Sequence, residues 1–140
     1  MTLITAMRQW LKTYPPLAGG RLNVDFLPTE AESYSVEAVP VAEVLRKYLD
    51  GSTVRQFAFV LASREFYSEN IAQNTDNLEF YEELSHWVAQ QKRKLPDLGE
   101  GRKAAKIEIL SPGYMFYGDD QGTARYQIQM KLTYNQKGTR

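Results

Sequence analysis

The last long segment of the chain alternates apolar and polar residues without interruption. The apolar positions are Ala124, Tyr126, Ile128, Met130, Leu132 and Tyr134. The polar positions between them are Arg125, Gln127, Gln129, Lys131 and Thr133. Because successive side chains of a strand point to opposite faces, this period of two predicts a β-strand with one face in the core and the other in water.

Two segments have helical spacing instead. The first covers residues 3–14 and is predicted to end at Pro15-Pro16, since neither proline can donate to the helix ladder. The second covers residues 74–92, with Thr75 or Asp76 available as the N-cap. Its apolar positions are Leu78, Tyr81, Leu84 and Trp87 or Val88. Each helix therefore has one apolar face that a sheet would cover.

Further strands are predicted before the last one. Residues 21–28 alternate in the same way, and residues 33–39, which end before Pro40, are predicted as their antiparallel partner. Residues 44–62 form a hairpin, and residues 105–111 form the strand that precedes the last. The order of elements is thus helix, two strands, a hairpin, helix, two strands.

This order predicts an α+β fold, in which a mostly antiparallel sheet of about four to six strands carries two helices packed on one face. At 140 residues the chain suits a single domain spanning residues 1–140. Residues 135–140 have nothing to bury, which predicts a frayed tail.

The predicted hairpin turns at Asp50-Gly51, and its charges bear on the register. A two-residue loop would place Arg46 opposite Arg55, a like-charge pair that destabilises a sheet. A four-residue loop over residues 50–53 instead places Tyr48 beside Arg55 and Arg46 beside Phe57, where each cation stacks on a ring. We therefore predict the four-residue loop.

The second strand of this hairpin is apolar on both faces from Phe57 to Ala62. A strand of this kind needs two coverings. The helices of the same chain supply one. The other is either a neighbouring subunit, because an uncovered apolar patch of this kind marks an interface, or another part of the same monomer.

The composition narrows the classes of function. The chain has 17 basic and 17 acidic residues, so no global field draws it to nucleic acid or to an anionic membrane. It has no cysteine, which excludes disulfides and thiolate sites and suits folding in a cytoplasm. Arg8 and Lys12 interrupt the apolar positions of the N-terminal segment, which predicts neither a signal peptide nor a membrane span. An aromatic content of 12% is a weak sign of assembly.

Candidates for catalysis are few. His86 is the only histidine, and it lies inside the second predicted helix without an evident nucleophile or orienting acid. The adjacent acids Glu82-Glu83 point apart on a helix, and Asp119-Asp120 lie in a segment with the composition of a loop. The glycine-rich turns lack the residues of a phosphate loop, and the basic run Lys92-Arg93-Lys94 is interpreted as solvated surface. We predict no enzyme activity, no cofactor, no metal and no small-molecule substrate.

Four stretches of the chain are similar to one family of phage proteins. They are "YSVEAVP", "LRKYLDGSTVRQFAFVLASREFY", "FYEELSHWV" and "TARYQIQMKLTY". The family consists of small proteins from the structural modules of long-tailed phages and prophages of Gram-positive bacteria. They are called tail terminator or minor capsid protein, and sometimes chloramphenicol resistance protein.

The resemblance implies a tail terminator. Such a subunit forms a ring, expected to be a hexamer, that caps the tail tube, stops its polymerisation and offers a tail-side surface for joining the head. The implied partners are further copies of the chain, the major tail tube protein and the head–tail connector protein, with passing contact between genomic DNA and the ring lumen. The implied locations are the host cytoplasm during assembly and the head-proximal end of the virion tail.

The resemblance carries over subunit contacts rather than a catalytic motif. The implied contacts lie on the hairpin and in the segment of residues 63–67, taken as the loop that follows it. They are Arg46, Tyr48, Arg55, Phe57, Phe59, Arg64, Glu65, Phe66 and Tyr67.

The resistance label fails on the residues themselves. A chloramphenicol acetyltransferase needs a histidine as general base just before its Asp-Gly, whereas Leu49 precedes Asp50-Gly51 here. Two other classes of function remain open. One is another phage structural part, such as a head-completion, connector or tail-tube-like subunit, and the other is a small enzyme or ligand-binding domain, which the missing catalytic residues disfavour.

Overall fold

The structure is a computed structural model, which describes residues 1–119 and 122–138. Three helices and six strands follow one another along these described residues. They are α1 (Leu3–Leu11), α2 (Pro15–Ala18), β1 (Leu22–Val24), β2 (Ser33–Val39), β3 (Val44–Lys47), β4 (Thr53–Phe66), α3 (Ile71–Ala89), β5 (Arg102–Gly118) and β6 (Thr123–Gln136). The predicted order of elements is confirmed, with α2 as an addition.

One six-stranded sheet organises the molecule. Its order is β1-β2-β4-β6-β5, with β3 beside β4 next to the end of β2. All pairs are antiparallel except β1 with β2. The predicted fold class, α+β with a mostly antiparallel sheet and helices on one face, is confirmed.

The helices and the sheet share one apolar core. From α1 and α3 it takes Met7, Leu11, Tyr81 and Leu84, and from β4 it takes Phe59 and Leu61. All six apolar positions of the alternating last strand are buried, with exposures of 0–2%. Burial of one such large side chain contributes about 1.5–3 kcal/mol to stability. The face of β6 predicted from the period of two is therefore a large part of the core.

The boundaries of the helices differ from the prediction for local reasons. Asn70 rather than Thr75 or Asp76 caps α3, since its side chain accepts a hydrogen bond from the Gln73 amide at 3.1 Å. The helix α1 ends at Leu11, and Pro15 then opens α2 instead of only ending α1. Proline is favoured at the first position of a helix because its missing N–H would be unpaired there.

The direction of the first two strands was predicted wrongly. The strand β1 covers only three residues and runs parallel to β2, with Leu22 opposite Tyr34. Asp25 has a φ of 52°, a left-handed conformation that ends the strand. The connection then returns to the level where β1 began, and Glu32, with a φ of 63°, leads into β2.

The face of the sheet away from the helices is covered within the monomer. On β4 this face carries Ala58, Val60 and Ala62, which are 0–5% exposed. An ion pair between Arg125 of β6 and Glu37 of β2 measures 2.8 Å, and it has to cross β4, which lies between those strands. The prediction that both faces of this strand are covered is confirmed, and the second covering is the chain itself rather than a neighbouring subunit.

Polar side chains continue this layer along β6. The Nε2 atoms of Gln127 and Gln129 donate to the Tyr114 hydroxyl at 2.6 and 3.1 Å, and Arg125 donates to Gln127 at 3.0 Å. Gln127 is 6% and Thr133 8% exposed. The prediction that this face of β6 is wet is therefore wrong for these two residues. Tyr114 and Arg125 bond to Gln127, and Thr133 lies between Gln56 of β4 and Lys106 of β5.

The C-terminal end is more ordered than predicted. The strand β6 runs to Gln136, which pairs with Thr53 and Arg102, and the Lys137 amide donates to the Gly101 carbonyl at 2.9 Å. Residues 135–138 are thus held against the hairpin end of the sheet, and the remaining predicted tail, residues 139–140, lies outside the described residues. Within the described chain, no helix has the length and apolar character needed to cross a membrane.

Candidate subunit interface

The hairpin between β3 and β4 closes with a shorter loop than predicted. Lys47 pairs with Thr53, Arg46 with Val54, and Val44 with Arg55, with a bulge between Val44 and Arg46. The Tyr48 amide donates to the Ser52 carbonyl at 2.9 Å, which leaves a loop of three residues. The four-residue register, with Tyr48 beside Arg55 and Arg46 beside Phe57, is wrong, although the two arginines do avoid each other.

Gly51 sets this loop. Its φ is 89°, and its amide donates to the Tyr48 carbonyl at 3.0 Å, as in a type I turn followed by a left-handed residue. The Asp50 carboxylate accepts from both the Ser52 amide and the Ser52 hydroxyl, at 2.9 and 2.6 Å. Asp50-Gly51 is thus turn chemistry, with the acid bonded back onto its own loop.

The segment that leads into this hairpin, residues 38–51, is exposed at every position. We call it the edge segment. It contains the end of β2, all of β3 and the loop. Its large apolar side chains are Val39, Val41, Val44, Leu45, Tyr48 and Leu49, with exposures from 36% to 103%. A concentration of exposed apolar side chains in one short segment typically marks a site of contact with another molecule.

The residues that the resemblance implied on the hairpin are divided by the fold. Arg46 and Tyr48 lie in the exposed edge segment. Arg55 is partly covered, and its Nη1 atom donates to Glu43 at 2.8 Å. Phe59 is fully buried, and Phe57 stacks on it with ring centroids 5.9 Å apart. Only Arg46 and Tyr48 are therefore placed to meet a partner directly.

The residues implied beyond the hairpin do not form a loop. Residues 63–66 belong to β4, which places them about 40 Å along the strand from the hairpin. Arg64 is 7% exposed, and it donates to the Pro28 carbonyl at 2.9 Å and contacts Asp119 at 3.4 Å. Arg64 and Glu65 are thus internal groups, whereas Phe66 is 53% exposed. Tyr67 is partly buried and packs against the core.

Glu65 is a carboxyl buried on the helix side of β4. Burial raises its pKa, which a hydrogen bond with Ser63 opposes and the negative charge of Glu32 reinforces. Nearby, burial raises the pKa of Tyr34 to about 12, with Glu65 as a further cause. Ser63 itself is completely buried and bonds to the Tyr81 hydroxyl at 2.5 Å, so it is out of reach of a substrate.

Replacing Glu65 with glutamine is expected to stabilise the protein at neutral pH. A folded-state pKa above the unfolded one means that the contribution of Glu65 is fully present below the ordinary pKa of 4.5 and is lost as pH rises through the folded value. The amide keeps the shape of the side chain without its charge. The melting temperature of the variant should therefore be a few degrees above that of wild type at pH 7 and equal to it at pH 3. Thermal melts against pH, with the exposed Glu69→Gln as control, test this. A variant that melts lower at pH 7 would contradict it.

The outer face of α3 forms a second surface. A shallow groove there is lined by Leu78, Glu82, Ser85, His86 and the Pro112-Gly113 turn of β5. It continues along Thr75, Glu79 and Glu83. Leu78 is 44% exposed, so the groove has an apolar floor beside carboxylates. His86 lies on this exposed face, and the part of the chain that the structure describes has no group of three or more metal-ligating side chains.

Comparison with known proteins adds no family. A scan of the chain against models of protein families and a search among curated proteins both gave no match.

Sequence patterns missed most of the edge segment. The implied contacts included Arg46 and Tyr48 but not Val41, Leu45 or Leu49. The available signal was the apolar density of "AVPVAEVL", which has one charge in eight residues. Such a run is typical of a buried strand, and only the fold shows that it lies along the edge of β4, with no further strand of residues 1–119 and 122–138 outside it.

Proposed function

We propose that this chain is a phage tail terminator, a structural subunit that assembles into a ring on the finished tail tube. The ring stops further addition of tube protein and offers a surface for joining the head. The resemblance over "YSVEAVP" to "SREFY" and over the last strand supports this function. The α+β sheet with helices on one face is compatible with it.

The observation that carries the proposal is the edge segment. All 14 of its residues are exposed in the isolated chain, and six of them are large and apolar. Water contact of this much apolar surface is unfavourable by about 25 cal/mol per Å², which association with another copy would relieve. A chain that acts by assembly needs such a surface, whereas a monomeric binding domain does not.

Removing apolar side chains from the edge segment is expected to weaken self-association without unfolding the chain. Leu49 is fully exposed and Leu45 is 51% exposed, so the double variant Leu45→Ser, Leu49→Ser loses little packing. We expect its dissociation constant, measured by sedimentation, to rise at least about 10-fold. The matched control is Leu110→Ser, which removes a 52% exposed leucine of β5 outside both the segment and the groove on α3, and it should leave association unchanged.

Tail morphology tests the function itself. A phage that lacks this gene should make over-long or headless tails, and the wild-type gene should restore normal particles, while the double leucine variant should not. Normal tails joined to heads in the deletion would refute the proposal. Empty heads without any tail defect, or polymerisation of the purified chain into tubes, would favour the head-completion, connector or tube-like subunit instead.

A further inference from the structure

The groove on α3 carries unpaired negative charge. Glu79 and Glu82 are exposed, and neither forms an ion pair within the described residues. They follow Leu78 by one and four positions on α3, and the Leu78 side chain is 44% exposed. The groove would therefore accept an apolar side chain that arrives with a cation beside it.

The edge segment has the complementary composition. Arg46 and Lys47 are exposed and, like the groove carboxylates, form no ion pair within residues 1–119 and 122–138. They sit between the exposed apolar residues Leu45 and Tyr48. The remaining charges here are satisfied locally, since Glu43 pairs with Arg55 and Asp50 bonds to Ser52.

The two surfaces lie on opposite edges of one sheet. The edge segment runs along the outer side of β4, and the groove lies where α3 packs beside Pro112-Gly113 of β5. Because β4 and β6 separate them, the edge segment of one chain cannot reach its own groove. Contact between two different patches is heterologous. A chain of copies therefore has a free edge segment at one end and a free groove at the other until a ring closes.

We propose that the edge segment of one copy docks into the α3 groove of the next copy. Leu45, Tyr48 and Leu49 cover Leu78, while Arg46 and Lys47 meet Glu79 and Glu82. This assignment rests on the proposed function, because it names the two surfaces through which the ring would form.

Charge reversal tests the pairing. One variant carries Arg46→Glu and Lys47→Glu, and a second carries Glu79→Lys and Glu82→Lys. In each variant alone, the edge segment and the groove carry charges of the same sign. Self-association should therefore weaken about 100-fold at low salt. Mixed in equal amounts, each variant offers the other the opposite charge on both patches, so association should return with alternating 1:1 composition.

The outcomes separate this pairing from the proposed function. If wild type associates and the mixture does not recover, the pairing is wrong while ring assembly stands. If wild type stays monomeric both alone and with purified tail tubes, the proposed function and the pairing are both overturned. Self-association of the Arg46→Glu, Lys47→Glu variant at wild-type strength would also overturn the pairing.

A crosslink gives a second measurement that does not depend on charge. The chain has no cysteine, so Leu49→Cys combined with Leu78→Cys introduces the only two thiols. Mild oxidation should yield a ladder of covalent oligomers if the two positions meet between copies. The control pair Thr29→Cys with Leu78→Cys should give no covalent oligomers on a denaturing gel under the same conditions, and an equal ladder in both would overturn the assignment.

Discussion

Replacing Gly113 with alanine is expected to lower the free energy of unfolding by about 2–3 kcal/mol. A Cβ atom at Gly113 would overlap Cβ and Cγ of Tyr81 on α3. Tyr81 cannot turn aside, because it is 1% exposed and its hydroxyl bonds to the Ser63 hydroxyl and to the Tyr126 carbonyl at 3.2 Å. The helix would have to move away from β5 as a unit.

The matched control is Gly19→Ala. Gly19 has ordinary right-handed backbone angles, and a Cβ there would meet nothing within 4 Å. The free energy of unfolding of this variant should be within about 0.5 kcal/mol of the wild-type value. Urea unfolding followed by circular dichroism measures both. Equal midpoints for Gly113→Ala and wild type would mean that Tyr81 of α3 does not lie against Gly113 of β5.

Gly113 also shows where sequence patterns stop being informative. A Pro-Gly pair is a turn signal, and the predicted strand ended at residue 111. The structure keeps Pro112-Gly113 inside β5, with irregular pairing between Ser111 and Tyr114. The reason is the approach of Tyr81, which is 32 positions earlier in the chain, and no local pattern reports such a contact.

Periodicity predicted burial correctly where the pattern of a single segment determines it. The alternation of β6 predicted its core face correctly, and the doubly apolar run in β4 predicted burial on both faces. The order of elements and the fold class followed from these patterns. The direction of β1 could not be predicted, because it depends on the left-handed Asp25 and Glu32 in a polar connection.

Charge pairing proved a weak guide to register. Arg46 and Arg55 do avoid direct pairing, as like-charge repulsion predicted, but this repulsion did not predict the loop that forms. Elsewhere in the same sheet Arg64 lies directly opposite Arg125. Each has its own acid, Asp119 for Arg64 and Glu37 for Arg125, so like charges can face each other across strands when both are separately paired.

The candidate site was predicted only in part, because the exposure of a residue depends on contacts that are distant in the sequence. The resemblance implied nine contact residues without saying which lie at the surface. Which residues are exposed depends on how the whole sheet folds. The fold leaves Arg46, Tyr48 and Phe66 exposed, and it buries Phe59, Arg64 and Glu65. The acidic groove on α3 was not predicted, since Leu78 was taken as a core position and Glu82-Glu83 as adjacent acids that point apart on a helix.

Replacing Arg64 with methionine decides whether this residue is an internal support or a subunit contact. Its guanidinium donates to the Pro28 carbonyl at 2.9 Å and to the Tyr117 hydroxyl at 3.3 Å, and it contacts Asp119 at 3.4 Å. Methionine keeps most of the volume but none of these bonds. Because the residue is 7% exposed, we expect the free energy of unfolding to fall by about 2–3 kcal/mol.

Two companion variants make this expectation specific. Arg64→Lys should be intermediate, because one ammonium cannot serve three partners that a planar guanidinium reaches. Arg46→Met, at an exposed position without an ion pair in the described chain, should change the free energy of unfolding by less than about 0.5 kcal/mol and instead weaken association. Unfolding in urea and sedimentation of the folded proteins separate the two effects. If Arg64→Met unfolds like wild type yet associates less, then Arg64 reaches a neighbouring copy, and the ring uses the far end of β4 as well as the edge segment.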